Sequence, residues 1–276
     1  MTGQSKKVER GEGEYKMAEV KSLKQDKLRG IFLFENTDHT YLNTLRRIIT
    51  NRVPVMAIDE VKFMENGSAM YDEQIALRLG LVSLTTDLES YFVRDKCKCK
   101  GEGCARCTLD LTLNKAGPCT VYASDLKSKD PAVKPMFPNT PITKLLEGQT
   151  LKFEAKAILG TGKVHAKFVP GLMFYTSVPK FKVKDAKEAK KLVEESNKVL
   201  ESDGKKLALS DYSKTDFALS LVEDHPDAVE VEMSSTDYVV TIESWGQLSV
   251  KELMSRAIEV LDEELDELEA EIKDLK

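Results

Sequence analysis

The sequence predicts an α+β chain, on three observations. Its middle alternates apolar and polar residues at period two, most cleanly from Thr108 to Lys115, where Leu109, Leu111 and Leu113 share one face. After Pro179 the composition becomes Lys- and Glu-rich, with helical stretches at 185–201 and near 214–223, as in a small separable α/β insertion. From Val250 onward, Met254, Ile258, Leu261, Leu265, Leu268, Ile272 and Leu275 recur at spacings of 4, 3, 4, 3, 4 and 3, which marks a long helix.

The elements follow in order. Residues 1–16 (MTGQSKKVERGEGEYK) have no apolar core, are no signal peptide, and read as a disordered charged leader. Met17 to Glu35 reads as two short strands around a polar turn, AEVKSLKQD and KLRGIFLFEN. An amphipathic helix follows, with Tyr41, Leu42, Leu45, Ile48 and Ile49 on its apolar stripe. Thr37 or Asp38 caps it and Pro54 stops it. Arg46 falls at the edge of that stripe and Arg47 on the far side. A surface pair of arginines either solvates a helix or docks a partner, since guanidinium makes bidentate bonds and is enriched at interfaces.

Pro54 to Glu65 reads as a strand, Asn66-Gly67 as a turn, and Tyr71 to Leu79 as a short helix. Further strands are expected at 118–123, 150–158 and 163–169, with GTG at 160–162 as a hairpin turn. Pro131, Pro135, Pro138 and Pro141 mark a long irregular connection. Strand signal returns at Tyr238 to Glu243. Ser249 and Glu252 fit a capping box at the start of the last helix, which is roughly 40 Å long. A helix lying on its own sheet shows a wide apolar stripe. A narrow seam that persists to the end, with acidic residues outside it, favours packing against a partner chain.

The totals bound the function. The 276 residues suit two domains, or one with a large insertion. Net charge is −5, from 41 basic and 46 acidic residues, so the basic excess of an autonomous nucleic-acid binder is missing. No apolar run reaches the ~20 residues that span a bilayer. A cytoplasmic chain is expected, in which five cysteines argue for a metal over disulfides.

Four of those cysteines, Cys97, Cys99, Cys104 and Cys107, have the spacing C-x-C-x4-C-x2-C around Gly101 and Gly103. Four thiolates so spaced can wrap one tetrahedral ion, and one structural zinc site is the favoured reading. Free thiols in a loop and an iron–sulfur cluster are the competing ones. Cys119 stands apart near a strand and reads as a buried apolar residue. His39, His165 and His225 are scattered, no phosphate loop is present, and Asp59 and Glu60 point to opposite faces of a strand. No catalytic residue is expected.

The segments FENTDHTYLNTLRRIITNRVPVMAIDEVKF and ENGSAMYDEQIALRLGLVSL, the latter holding D-E-x-x-A-x-R-x-G-L at Asp72 to Leu81, resemble the D-type subunit of archaeal RNA polymerase. GKVHAKFVPG, Gly162 to Gly171, is similar to that family's second domain, and the resemblance covers nearly everything from Met17 onward. It implies a discontinuous dimerisation domain at 17–57 and 229–276, a β-rich inserted domain at 58–177, and a ferredoxin-like insertion at 178–228. It implies a heterodimer with subunit L, through Leu42, Leu45, Ile49 and the seam from Met254 to Leu275. It further implies that Arg46 and Arg47 dock a large polymerase subunit, that small assembly subunits join, and that DNA is met only through the holoenzyme.

One departure is plain. Archaeal relatives often carry [4Fe–4S] clusters in the third domain, but residues 178–228 contain no cysteine. Packing by Phe181, Leu192, Val193, Val199, Leu200, Leu207, Leu209, Phe217, Leu219 and Leu221 is expected to hold it instead. The Cys97–Cys107 run resembles the zinc clasp of eukaryotic relatives, with a middle spacer one residue longer. A free-standing metal-binding redox protein with a homodimeric coiled tail is the runner-up reading. A sequence-specific DNA binder is a third, disfavoured because no basic recognition helix follows the clasp.

Overall fold

The computed structural model describes residues 18–202 and 206–275, so the expected leader lies outside the described residues. Strands β1 (Glu19–Gln25) and β2 (Arg29–Glu35) form as read, joined by a turn in which Asp26 Oδ1 accepts from the Leu28 and Arg29 amides at 2.8 and 2.7 Å. Helix α1 (His39–Asn51) buries Leu42, Leu45, Ile48 and Ile49. Tyr41, placed on the same stripe by spacing, is 40% exposed instead. Pro54, which has no N–H to continue the helix, precedes β3 (Val55–Asn66). Then come α2 (Asp72–Gly80), β4 (Leu109–Ala116), β5 (Cys119–Tyr122), β6 (Lys127–Ser128), β7 (Pro141–Leu145) and β8 (Thr150–Gly160). The chain ends with β9 (Gly171–Val183), α3 (Ala186–Glu195), β10 (Leu200–Ser202), β11 (Lys206–Leu209), α4 (Thr215–Glu223), β12 (Val229–Ser244) and α5 (Val250–Asp274). The result is a mixed α+β architecture, with sheet orders β1-β2-β12-β9-β11-β10, β3-β8-β4-β6 and β5-β7.

The chain forms two compact units and passes between them within β1, β2, β9 and β12 and just before α1. The larger comprises Ser22–Phe32, His39–Thr176 and Val240–Lys276. Its core follows from the alternation in β4: Leu109, Leu111 and Leu113 stand opposite Ala157, Ala155 and Phe153 of β8, all buried. Each such side chain removed from water is worth about 1.5–3 kcal/mol. Phe153 also meets Phe63 of β3 edge-on, with ring centroids 5.7 Å apart. A register shift between Ile58 and Glu60 marks a bulge in β3. Beside it Asp59 pairs with Lys167 at 2.6 Å and Glu60 with Arg94 at 3.7 Å, so the adjacent carboxylates serve different cations. The proline-rich connection is irregular as read, except that Pro141 opens β7.

Residues 163–169 are not the strand that alternation suggests, and GTG is not a hairpin turn. The Thr161 carbonyl accepts from the Val164 amide at 2.9 Å, and a single 3-10 turn, Ala166–Phe168, follows. The His165 imidazole caps that turn by accepting from the Lys167 amide at 3.1 Å. Gly162 is pressed so close to α1 that an added methyl would meet the Thr50 carbonyl oxygen at 2.0 Å. Tertiary packing overrides the local pattern, and of the apolar positions only Phe168 is fully buried.

The smaller unit comprises Leu33–Asp38, Ser177–Val239 and the residues up to Lys21. From β9 to β12 it runs strand, helix, strand, strand, helix, strand, with spatial order β12-β9-β11-β10. Both β10–β11 and β11–β9 are antiparallel. Helix α3 ends at Glu195 rather than near 201, because Asn197 and Lys198 adopt left-handed φ of 49° and 68°. The Ser196 hydroxyl then accepts from the Leu200 amide at 3.1 Å and turns the chain into β10. The apolar core is present, formed by Phe181, Leu192, Val199, Leu200 and Leu207 with Val193, Leu209 and Leu221 at its edge. Two expected members fall outside it: Phe217 is largely exposed and Leu219 only half-buried. Helix α4 turns Ala218 and Val222 inward instead.

Candidate metal centre and interaction faces

The cysteine loop lies between α2 and β4 and is closed at its base. The Phe92 amide donates to the Arg106 carbonyl at 2.9 Å, and Tyr91, buried, donates its hydroxyl to Asp130 at 2.8 Å. Burial, reinforced by Asp130, pushes the Tyr91 phenol up to about 12. Within the loop the Lys100 amide donates to the Cys97 carbonyl at 2.9 Å and the Glu102 amide to Cys99 at 3.2 Å. On the other side the Cys107 and Thr108 amides both donate to the Cys104 carbonyl, at 2.9 and 3.0 Å. Two tight turns therefore face each other. Gly101 and Gly103 make this possible with φ of 86° and 91°, a region that side chains disfavour.

These turns bring the Sγ atoms of Cys97, Cys99, Cys104 and Cys107 within 4.8 Å of one another. Cys97–Cys104 is 3.6 Å, Cys97–Cys99 and Cys99–Cys107 are each 3.5 Å, and Cys104–Cys107 is 3.9 Å. Four sulfurs about 2.3 Å from one tetrahedral ion stand about 3.8 Å apart, so the residues fit a single metal. A [4Fe–4S] cube holds each thiolate on a separate iron and spreads them wider. Hydrogen bonds from the Cys104 and Gly103 amides lower the Cys99 thiol to about 5, so it is ionised at neutral pH. Burial raises Cys107 to about 12. Because all four donors are protein thiols, an ion held by them would have no open position for a substrate. Cys119 is half-buried at the edge of the main core, its Sγ 3.5 Å from the Ala116 carbonyl oxygen.

Gly101 tests the backbone requirement alone, since a methyl placed there meets nothing within 4 Å. Gly101→Ala is expected to weaken metal retention by about ten-fold, corresponding to ~1–2 kcal/mol of left-handed strain. Competition against a chelator measures this directly; unchanged retention shows that the loop tolerates the substitution.

The second candidate face is α5. Its capping box forms as read: Ser249 Oγ accepts from the Glu252 amide at 3.3 Å, and the Glu252 carboxylate accepts from the Ser249 amide at 2.8 Å. Packing within the chain uses Val250, Leu253, Ala257 and Val260, all buried, and α5 lies against α1 with Arg52 reaching Glu264 at 3.2 Å. That stripe, itself spaced 3, 4 and 3, is as legible in the sequence as the longer seam, although the seam draws the eye first. The seam lies on a different side. Ile258 is 42% exposed, Leu265, Leu268 and Ile272 about half exposed, and Leu275 86%; Met254 and Leu261 are partly covered. Leu42, Leu45 and Ile49, by contrast, are buried in the chain's own interior.

Arg46 and Arg47 sit where spacing places them. Arg46 is half-buried, its Nε and Nη2 donating to Asn43 Oδ1 at 3.1 and 2.9 Å. Arg47 is exposed and makes no ion pair among the described residues. His39, His165 and His225 remain apart, and His225 lies 3.6 Å from Glu195. No helix among the described residues is long and apolar enough to cross a membrane.

The fold and site define an α+β chain with a four-cysteine cluster suited to a metal, an exposed helical seam and no assembled catalytic constellation among the described residues. Comparison with known proteins names the class. Residues 61–171 match the RNA polymerase Rpb3/RpoA insert domain family. The chain is 36% identical over 249 residues to DNA-directed RNA polymerase subunit Rpo3 of Thermococcus kodakarensis, covering 89% of this chain and 94% of that one. It is 36% identical over 244 residues to the Methanosarcina acetivorans subunit, covering 86% and 91%. With the Archaeoglobus fulgidus subunit identity is 33% over 264 residues, covering 94% and 100%. The chain belongs to the DNA-directed RNA polymerase subunit Rpo3 family, Rpo3 being another name for the D-type subunit.

Proposed function

We propose that this chain is a non-catalytic assembly subunit of a DNA-dependent RNA polymerase, pairing with the small subunit L and docking the large subunits. The observation that carries this reading is the exposed 4-3-4-3 seam of α5, on a chain that belongs to a polymerase-subunit family. A helix that has already packed one stripe on its own domain, yet keeps a second apolar one in water, suits an intermolecular joint. Leu42, Leu45 and Ile49 serve that joint from behind, by fixing α1 in the larger unit. Co-expression with the L-type subunit tests the pairing: a soluble one-to-one complex is expected, and a chain that stays monomeric beside L overturns it.

The finer parts of the reading have their own support. The strand order β12-β9-β11-β10 on a βαββαβ path is that of a ferredoxin-like unit, which fits an insertion at about 178–228 within a discontinuous dimerisation domain. A single zinc ion is proposed for the clasp, because a tetrahedral set of four thiolates at this spacing suits zinc. No observation favours the free-standing redox alternative, while membership in a polymerase family speaks against it. The absence of a basic surplus fits DNA contact through the holoenzyme alone, and a cytoplasmic setting fits a transcription subunit.

Arg46, braced by Asn43, and Arg47, exposed beside it, are proposed to dock a large subunit. Arg47→Ala is expected to leave the pairing with L intact and to weaken recruitment of the second-largest subunit about ten- to hundred-fold, the range of a charged hydrogen bond of ~1.5–3 kcal/mol. Pull-down with the purified large subunit reads the effect, and equal recruitment removes the arginine from the docking face.

A further inference from the structure

Helix α5 carries charge of one sign. From Glu259 to Leu275 it holds nine acidic residues and one lysine. The seam has two rows: Ile258, Leu265 and Ile272 form one, and Met254, Leu261, Leu268 and Leu275 the other. At that spacing the residues bordering its outer half are Asp262 and Glu269 on one side, and Glu264 and Glu271 on the other. All four are carboxylates. Nearer the start of the helix, Ser255 and Ala257 border the seam and carry no charge.

The chain's own cations leave these borders largely acidic. Arg256 holds Glu259 and Glu263 at 2.9 Å each, and Lys96 lies 3.7 Å from Glu267, all on the side of α5 away from the seam. On the borders themselves, Arg52 reaches Glu264 at 3.2 Å and Lys273 reaches Glu269 at 2.7 Å. Asp262 and Glu271 are exposed and make no ion pair among the described residues.

Residues that border a two-helix seam face those of the partner and set partner choice. Were a second copy of this chain to lie parallel, Glu264 of each would face Glu269 of the other. Were it antiparallel, the bordering carboxylates would face one another along the whole outer half. Like charges so placed reject a partner. An apolar stripe by itself accepts any other stripe, but these borders admit a helix edged with lysine or arginine and turn away their own kind.

We propose that the carboxylates bordering the α5 seam select its occupant, an amphipathic helix of the L-type subunit with basic residues along its own apolar stripe, and exclude a second copy of this chain. The inference rests on the assembly-subunit reading and deepens it, by giving the chemistry through which the joint tells partner from self.

The test uses the full chain, the purified L-type subunit and the triple reversal Asp262→Lys, Glu269→Lys and Glu271→Lys. These side chains are exposed, so the fold is expected to survive, as circular dichroism checks. A neutral set, Asp262→Asn, Glu269→Gln and Glu271→Gln, serves as the milder second variant. Wild type is expected to bind L with a dissociation constant that rises about ten-fold as salt screens the borders, and to remain monomeric by sedimentation when alone. The reversal is expected to bind L about a hundred-fold more weakly and to form a one-to-one complex with the wild-type chain, which a merely structural role does not produce. The neutral set is expected to lose the salt dependence and to begin self-association. If both variants bind L as the wild type does and salt changes nothing, selection by charge is refuted while the assembly reading stands. Wild-type chain that pairs with itself as tightly as with L refutes it too. If the wild type ignores L yet pairs with the reversal, the borders select by charge and the assembly reading fails instead. If it pairs with neither, both fail.

Discussion

Leu265→Glu with Leu268→Glu is expected to leave the isolated chain folded and to abolish the proposed pairing with the L-type subunit. Both side chains are about half exposed in the free chain, so charging them removes little from its own core. The stripe that holds α5 to its domain, Leu253, Ala257 and Val260, is untouched. In a joint that buries the seam, each leucine is worth about 1.5–3 kcal/mol, so the pair is worth roughly two to four orders of magnitude in dissociation constant, and buried carboxylates add to the loss. Size-exclusion chromatography with the L-type subunit, alongside circular dichroism of the variant alone, separates the two effects. A matched Leu253→Glu change reverses the pattern, unfolding the end of the larger unit before any partner is added. Equal pairing by wild type and double variant places the joint elsewhere.

Removing the metal is expected to have the next largest effect, confined to one loop. Structural tetrathiolate sites carry apparent binding free energies of about 10–16 kcal/mol in small zinc modules, enough to order a loop outright. Chelation, or Cys107→Ser, is therefore expected to release amide protection from Cys97 to Cys107 and fray the start of β4. The smaller unit, packed by Leu192, Val199 and Leu200, should melt as before. Hydrogen exchange with and without chelator reads this, and element analysis gives about one metal ion per chain. Metal and protons compete for the same sulfurs. Cys99, held near 5 by the Cys104 and Gly103 amides, is expected to offer a thiolate first, whereas Cys107, raised to about 12 by burial, must surrender a proton to bind. Uptake thus strengthens as pH rises between about 6 and 8, with proton release. Flat uptake across that range shows that these thiols do not hold the ion.

Much of this molecule is legible in sequence where a period meets a face. Leu109, Leu111 and Leu113 read as one buried face and are one; Ser249 and Glu252 read as a cap and form it. The clasp is legible because its chemistry is local: four ligands and two glycines lie within eleven residues. What escapes is set by distant neighbours. Nothing local in KVHAKFV says that Gly162 abuts the Thr50 carbonyl and forbids a strand. Helix α5 has two apolar stripes, and a count by spacing cannot say which one its own domain takes. A cavity lined by Leu81, Phe137 and Trp245 gathers residues from distant stretches, and no local pattern marks it.

Every thiol in the chain lies between Cys97 and Cys119, and the βαββαβ unit is built on an apolar core that contains no cysteine. Thiol-directed oxidation therefore has a single short stretch on which to act. Loss of the clasp is thus expected to leave the βαββαβ unit standing, since that unit contains no thiol and shares no ligand with it.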